Sequence, residues 1–186
     1  MVHSFQWIQA AIGIIVGLGM TRLIISVTNV YIGRRSIRLD WIPFVWALNI
    51  FFLLLQFSWV FVELDQYIKQ WTFGLFLTML GFVLMLFIAS ALVLPNTEAQ
   101  AGSSLQTWFE QDGRYALLFL AAYALLAYPV NWYFAGETPD SNSASALLVT
   151  MSLVAFFTKS RKLLASMAIM NLLLTAAIVL GMVVTG

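Results

Sequence analysis

Residues 5–33 of this 186-residue chain read FQWIQAAIGIIVGLGMTRLIISVTNVYIG, and this stretch decides the fold class. It is almost continuously apolar. At about 1.5 Å per residue, a helix of this length exceeds the roughly 30 Å hydrocarbon core of a bilayer. The stretch therefore predicts a transmembrane helix that tilts or protrudes from the membrane.

The rest of the chain continues the same pattern. Hydrophobic residues make up 62% of the sequence and charged residues only 9%, a composition far from that of soluble domains. We predict an all-α integral membrane bundle of six transmembrane helices in a single domain. The predicted spans are residues 5–33, 41–63, 71–95, 115–135, 143–158 and 162–184. The fifth is the shortest and needs its flanking serines to cross the membrane.

The basic residues between the spans indicate the orientation. If the linkers alternate sides, Lys69 lies on one side and seven basic residues lie on the other, which the positive-inside rule makes cytoplasmic. Both termini are then external. The start of the chain lacks the basic region of a secretory signal, so we expect the first span to be an uncleaved anchor. The seven residues are Arg34, Arg35, Arg38, Arg114, Lys159, Arg161 and Lys162.

The first span has two distinct faces on a helical wheel. One stripe is polar and comprises Gly19, Arg22, Ser26 and Asn29. Gly13 and Gly17 lie roughly opposite, with the spacing that lets another helix approach closely. Two interpretations of this glycine face stay open, namely packing within the chain and an interface between subunits.

Arg22 lies within the apolar span, where an arginine costs roughly 2.5–3.5 kcal/mol at mid-bilayer on insertion scales. An ionisable residue in that position is a functional candidate. The alternative is that Arg22 lies near the cytoplasmic edge and reaches lipid phosphate.

The second span carries a repeat of polar residues. Asn49, Gln56 and Glu63 recur every seven positions and so share one edge of the helix. Arg22 and Asn49 come out at similar depth, and Gln9 comes out near Glu63, so the first two helices could form a polar seam with paired levels. Such a seam is either a hydrated path for an ion or small solute or a set of interhelical hydrogen bonds that only stabilise packing.

Further features lie at the helix ends and in the linkers. Asp40 is placed to cap the second helix, whose first turn tolerates Pro43. In the long third linker, Ser103 or Ser104 could begin a short interfacial helix. Its apolar residues, which we expect to face the membrane, are Leu105, Trp108 and Phe109.

The later spans carry fewer polar residues. Gly74, Thr78 and Gly81 give the third span a smooth face for a neighbouring helix. In the fourth span Pro129 predicts a kink next to Asn131, which is compatible with a cavity. In the last span Asn171 is the strongly polar interior residue, and such residues commonly join helices.

The inventory of reactive residues argues against an enzyme. Cysteine is absent, and His3 is the only histidine. A metal site or a nucleophilic dyad therefore has few candidate residues, and we expect no metal and no cofactor. A net charge of +1 leaves no electrostatic footprint for nucleic acid. Binding of lipid or quinone needs no such signature and stays open.

Three short motifs carry a resemblance. The segments GLGMTRL at 17–23, WIPFVWALN at 41–49 and WTF at 71–73 resemble a group of small multi-span bacterial membrane proteins known only as uncharacterised. The resemblance covers about the first half of the chain. It implies a bacterial cytoplasmic membrane, with both termini periplasmic in the orientation above, and implies no mechanism.

The sequence thus favours a membrane channel or small transporter, which we expect to be a homo-oligomer in contact with membrane lipids. The residues that would line or gate its path are Arg22, Ser26, Asn29, Asn49, Gln56 and Glu63. One alternative is an accessory subunit that packs onto a larger membrane assembly through its glycine faces. Another is a lipid-binding or quinone-binding membrane protein.

Overall fold

The computed structural model describes residues 2–35, 37–63, 68, 72–95, 104–135 and 143–185. These residues confirm an all-helical fold, and no strand occurs among them. The α-helices are α1 (Val2–Ile32), α2 (Trp41–Glu63), α3 (Phe73–Leu92), α4 (Leu105–Gln111), α5 (Ala116–Ala135), α6 (Ser143–Phe157) and α7 (Arg161–Thr185). Short 3-10 turns at Gly33–Arg35 and Gly113–Tyr115 follow α1 and precede α5.

Five of the described helices are long and apolar enough to cross a membrane, which indicates a membrane-embedded protein. The helix α6 is apolar but has only 15 residues. At about 1.5 Å per residue it is shorter than the hydrocarbon core. Large apolar side chains cover the outside of the helices, with Ile14 65% and Leu173 64% exposed. Such an exterior fits lipid as the surrounding solvent.

The long helices pack in a closed order around the bundle. Neighbouring pairs are α1 with α3, α3 with α5, α5 with α6, α6 with α7, α7 with α2, and α2 with α1. The helix α2 also contacts α3 and α4, and the α2 span is the most buried of the five long apolar helices. Its side chains Trp46, Ile50 and Leu54 are completely buried.

Aromatic rings join the helices on one side of the bundle. Phe57 of α2 stacks on Phe82 of α3 with 6.3 Å between ring centroids. Phe82 in turn meets Tyr123 of α5 edge to face at 5.5 Å. These contacts pack three helices through the faces and edges of aromatic rings, as in the core of a soluble protein.

The linkers that follow α1, α3 and α6 meet at one end of the bundle. The N–H of Leu105, at the start of α4, donates to the carbonyl of Arg38 at 3.1 Å. Arg114 donates to the carbonyl of Phe156 at the end of α6 at 3.4 Å. The segment before α2, the α4 region and the α6–α7 connection therefore lie together.

The predicted short helix in the third linker is confirmed as α4, which begins after Ser104. The expected orientation of its apolar residues is wrong for two of them. Leu105 and Phe109 are buried in the protein core, whereas Trp108 is half-buried. This face of α4 packs against the rest of the protein, so α4 covers the hydrophobic core at this end of the bundle.

Candidate functional site

A buried polar contact joins α2 to α7 in the interior of the bundle. The Asn49 side-chain amide donates to Oδ1 of Asn171 at 2.5 Å, and the Asn171 amide donates to Oγ of Ser152 on α6 at 3.5 Å. The three side chains are at most 2% exposed. Two amides and one hydroxyl, far apart in the sequence, thus form a continuous series of hydrogen bonds across three helices.

The helices α2 and α7 run parallel in a fixed register. Asp40 contacts Arg161 and Asn49 contacts Asn171, with sequence separations of 121 and 122 residues. Because the two separations differ by only one residue, levels on one helix can be read onto the other. Thr175 lies about 6 Å beyond the Asn49–Asn171 level, and Gln56 lies about 10 Å beyond it.

Several buried oxygen atoms on these two helices have no hydrogen-bond partner in the described structure. They are Oδ1 of Asn49, Oε1 of Gln56 and Oγ1 of Thr175. A buried polar atom without a partner costs about 1–3 kcal/mol, so each one needs an explanation. We call Asn49, Gln56, Ser152, Asn171 and Thr175 the polar seam.

Hydroxyl groups elsewhere in the bundle behave differently. Thr28, Thr78 and Thr150 are exposed, and each donates to the carbonyl four residues earlier at 2.8–3.0 Å. This bond satisfies a hydroxyl on the outer surface of the bundle. Thr175 is completely buried and does not make it. Among these threonines, only the buried Thr175 has a hydroxyl without a partner in the described structure.

An ion pair lies at one end of the seam. Both oxygens of the Asp40 carboxylate accept from the Arg161 guanidinium at 2.9 Å. One of them also accepts from the N–H of Ile42 at 3.2 Å, which confirms Asp40 as the cap of α2. The side chain of Asp40 is 6% exposed and that of Arg161 is 45% exposed. The pair fastens the first turns of α2 and α7 together, and the sequence did not suggest it.

Arg22 lies outside the seam. Its Nη2 donates to the carbonyl of Ala91, in the last turn of α3, at 3.4 Å. The end of a helix leaves carbonyls without partners and carries partial negative charge, so a guanidinium there is favourable. The expected pairing of Arg22 with Asn49 is not what the structure shows, because Asn49 bonds Asn171.

The polar stripe of α1 is its packed face. A Cβ at Gly19 would lie 3.3 Å from Leu54 of α2 and 3.6 Å from Ser90 of α3. Ser26, on the same stripe, is completely buried and its Oγ has no partner in the described structure. Asn29 is half-buried. This face meets α2 and α3, whereas the seam is formed by α2, α6 and α7.

The glycines predicted as packing points are open in the described structure. No described atom lies within 4 Å of a Cβ built at Gly13, Gly17 or Gly81. At Gly74 the contact is Thr72 of the same chain segment, 4.0 Å away. The close approach of α1 to its neighbours occurs at Gly19 instead. The first interpretation of the Gly13 and Gly17 face, packing within the chain, thus has no partner among the described residues.

The remaining predicted residues take no part in the seam's described contacts. Pro129 lies within α5, which continues as a helix to Ala135. Asn131 is half-buried on the same helix. Glu63 is the last residue of α2, and its side chain lies outside the described residues. Among the described residues, no group of three or more His, Cys, Asp or Glu is placed to hold a metal ion.

Comparison of the chain with family models, with curated proteins and with solved structures found no match. The site therefore has to be interpreted from its own chemistry, which is that of neutral amides and hydroxyls inside an apolar bundle.

Proposed function

We propose that this protein is a membrane transport protein for a small polar solute, with the polar seam as the solute's binding site. The observation that carries the proposal is the set of buried, unpaired oxygens on Asn49, Gln56 and Thr175. A path through a membrane needs groups that replace the water a solute gives up. Those oxygens are such groups.

Helix packing alone explains only part of the seam. The Asn49–Asn171 bond is of the kind that joins membrane helices, worth on the order of 0.6–2 kcal/mol. It leaves Oδ1 of Asn49 unpaired, and it does not involve Gln56 or Thr175. Leucine at the latter two positions would pack without that cost. A solute that pairs with them accounts for their presence.

The seam is closed at Asn49, Asn171 and Thr175, which expose at most 1% of their surface, whereas Gln56 is half-buried. A gated or alternating path therefore fits better than a permanently open pore. Opening requires a movement between α2, α7 and α6, the helices that bury the seam.

The proposed setting is a bacterial cytoplasmic membrane crossed six times, with both termini external. The support for this orientation is the set of basic residues at one end of the bundle. At that end the segment before α2, the α4 region and the α6–α7 connection meet. Arg34, Arg35, Lys159 and Lys162 are exposed there or beside it. Basic residues gathered at one end are what the positive-inside rule expects of a cytoplasmic face.

The test is flux into liposomes that contain the purified protein, measured for glycerol, urea, K⁺ and Cl⁻. Thr175→Val removes one buried hydroxyl at nearly constant volume, and Thr150→Val removes a lipid-facing hydroxyl as the matched control. We expect flux of at least one solute above that of protein-free liposomes. We expect Thr175→Val to change it severalfold and Thr150→Val to leave it unchanged.

A second variant, Asn171→Leu, interrupts the hydrogen-bond chain at its centre. It should reduce flux further, and its folding is checked by gel filtration and helical content. Absence of flux for the whole panel would refute a transport function. Equal flux in Thr175→Val and Thr150→Val would show that the solute does not pass along the seam.

A second candidate function is that of a subunit in a homo-oligomer or a larger membrane assembly. The observation that favours it is the exposed face of Gly13 and Gly17 on α1 and of Gly81 on α3, where no described atom approaches. Gly17→Leu should then change the mass of the mildly extracted protein in native mass spectrometry without altering its helical content. The same spectra reveal a bound lipid or quinone, the third alternative.

A further inference from the structure

The unpaired atoms of the seam all accept hydrogen bonds. Oδ1 of Asn49 and Oε1 of Gln56 are carbonyl oxygens, which only accept, and Oγ1 of Thr175 accepts and can also donate. On this basis we propose that the solute is small, uncharged and rich in hydrogen-bond donors, of the class of water, glycerol or urea. This inference rests on the proposed function and specifies its substrate.

The spacing of these oxygens favours a neutral solute. Along the parallel helices, Thr175 lies about 6 Å beyond Asn49, and Gln56 lies about 4–5 Å beyond Thr175. A cation stripped of water needs about six or more oxygens around it, as in calcium sites or carbonyl filters. The seam offers about one unpaired oxygen at each level. That arrangement suits a molecule that makes one or two hydrogen bonds at a time.

The charges of the bundle lead to the same class. The seam itself consists of amides and hydroxyls without a formal charge. The nearby Asp40 carboxylate is already neutralised by Arg161, and Arg22 faces the end of α3. A buried ion without a partner of opposite charge is strongly unfavourable. The seam therefore excludes ions by the absence of a counter-charge.

Gln56 also distinguishes donors from acceptors among neutral solutes. Its Oε1 is buried and unpaired, at the level of Ser145 on α6 when the Asn171–Ser152 contact sets the register. Ser145 is itself buried. A solute that donates hydrogen bonds gains by pairing with the carbonyl oxygens of Gln56 and Asn49, whereas a solute that only accepts gains nothing from them.

The experiment measures volume changes of proteoliposomes by stopped-flow light scattering with glycerol and urea gradients, and ion flux with K⁺ and Cl⁻ electrodes. Gln56→Met removes the acceptor at similar volume. Gln6→Met, at an exposed position on α1, is the matched control. We expect faster glycerol or urea entry than in protein-free liposomes, and a reduction of roughly fivefold in Gln56→Met, equivalent to one neutral hydrogen bond. K⁺ and Cl⁻ flux should equal that of protein-free liposomes.

Two other outcomes overturn different statements. Flux of K⁺ or Cl⁻ that falls in Gln56→Met, without entry of glycerol or urea, would refute the neutral substrate while the transport function stands. Neutral flux that Gln56→Met and Gln6→Met leave equal would refute the role of the acceptor oxygens. No flux of any tested species would refute the proposed function itself.

Discussion

Replacement of Asp40 by alanine separates two contributions to stability at one buried side chain. The carboxylate accepts two hydrogen bonds of 2.9 Å from Arg161 and one of 3.2 Å from the N–H of Ile42. Alanine removes the ion pair between α2 and α7 together with the cap of α2. Asp40→Asn keeps a good capping side chain and removes only the charge.

The structure sets the magnitude of each loss. A helix cap contributes about 1 kcal/mol. Hydrogen bonds to charged groups contribute about 1.5–3 kcal/mol, and the lower end applies because Arg161 is 45% exposed and solvent screens it. We therefore expect Asp40→Ala to lower the free energy of unfolding by about 2.5 kcal/mol and Asp40→Asn by about 1.5 kcal/mol.

The assay is unfolding of the purified protein in detergent, followed by tryptophan fluorescence. Lys162→Ala is the control, because Lys162 is exposed and adjacent to Arg161, so its replacement should change stability by less than about 0.5 kcal/mol. High salt should reduce the difference in free energy of unfolding between the native protein and Asp40→Asn, because salt screens the half-exposed ion pair. If Asp40→Ala lowered the free energy of unfolding no more than Lys162→Ala does, the ion pair would have no stabilising role. If Asp40→Asn matched Asp40→Ala, the capping contribution would be refuted.

The remaining predictions concern the seam and the glycine faces. Asn171→Leu should destabilise the fold by about 1–2 kcal/mol because it leaves the Asn49 amide unpaired, and adding Asn49→Leu should restore part of that loss. If the double-mutant cycle gave no coupling energy between the two substitutions, the Asn49–Asn171 contact would be contradicted. Gly19→Val should cost about 1–3 kcal/mol because Leu54 lies 3.3 Å from its new Cβ. Gly17→Val should leave the stability of the isolated chain unchanged, and equal melting temperatures of the two variants would refute the assigned packing face.

Local sequence information was sufficient for the helices and for some of their ends. Hydrophobic length placed α2 and α5 within one residue of their observed bounds, because a membrane helix must cover a fixed thickness. The cap at Asp40 was also predictable, since the capped N–H lies two residues away. The short helix α4 followed from polar and apolar residues a few positions apart.

The partners of the polar residues were decided by tertiary structure alone. The heptad spacing put Asn49 and Gln56 on one edge of α2, but it could not say that this edge meets α7, 122 residues away. A buried threonine such as Thr175 carries no local signal, because exposed threonines in these helices have the same apolar neighbours in sequence. The signal that could have linked Asn171 to Asn49 is that each is an amide deep in its span.

The sequence by itself determined that this chain is a set of membrane helices, because hydrophobic length and composition depend on nothing outside each segment. Only the tertiary structure decided which face of each helix meets protein. In a bilayer both the lipid-facing and the protein-facing positions are apolar, so hydropathy does not distinguish them. Thus the glycine spacing in the sequence pointed to Gly17 as a packing position, and only the arrangement of α2 and α3 around α1 shows that Gly19 is packed and Gly17 is open.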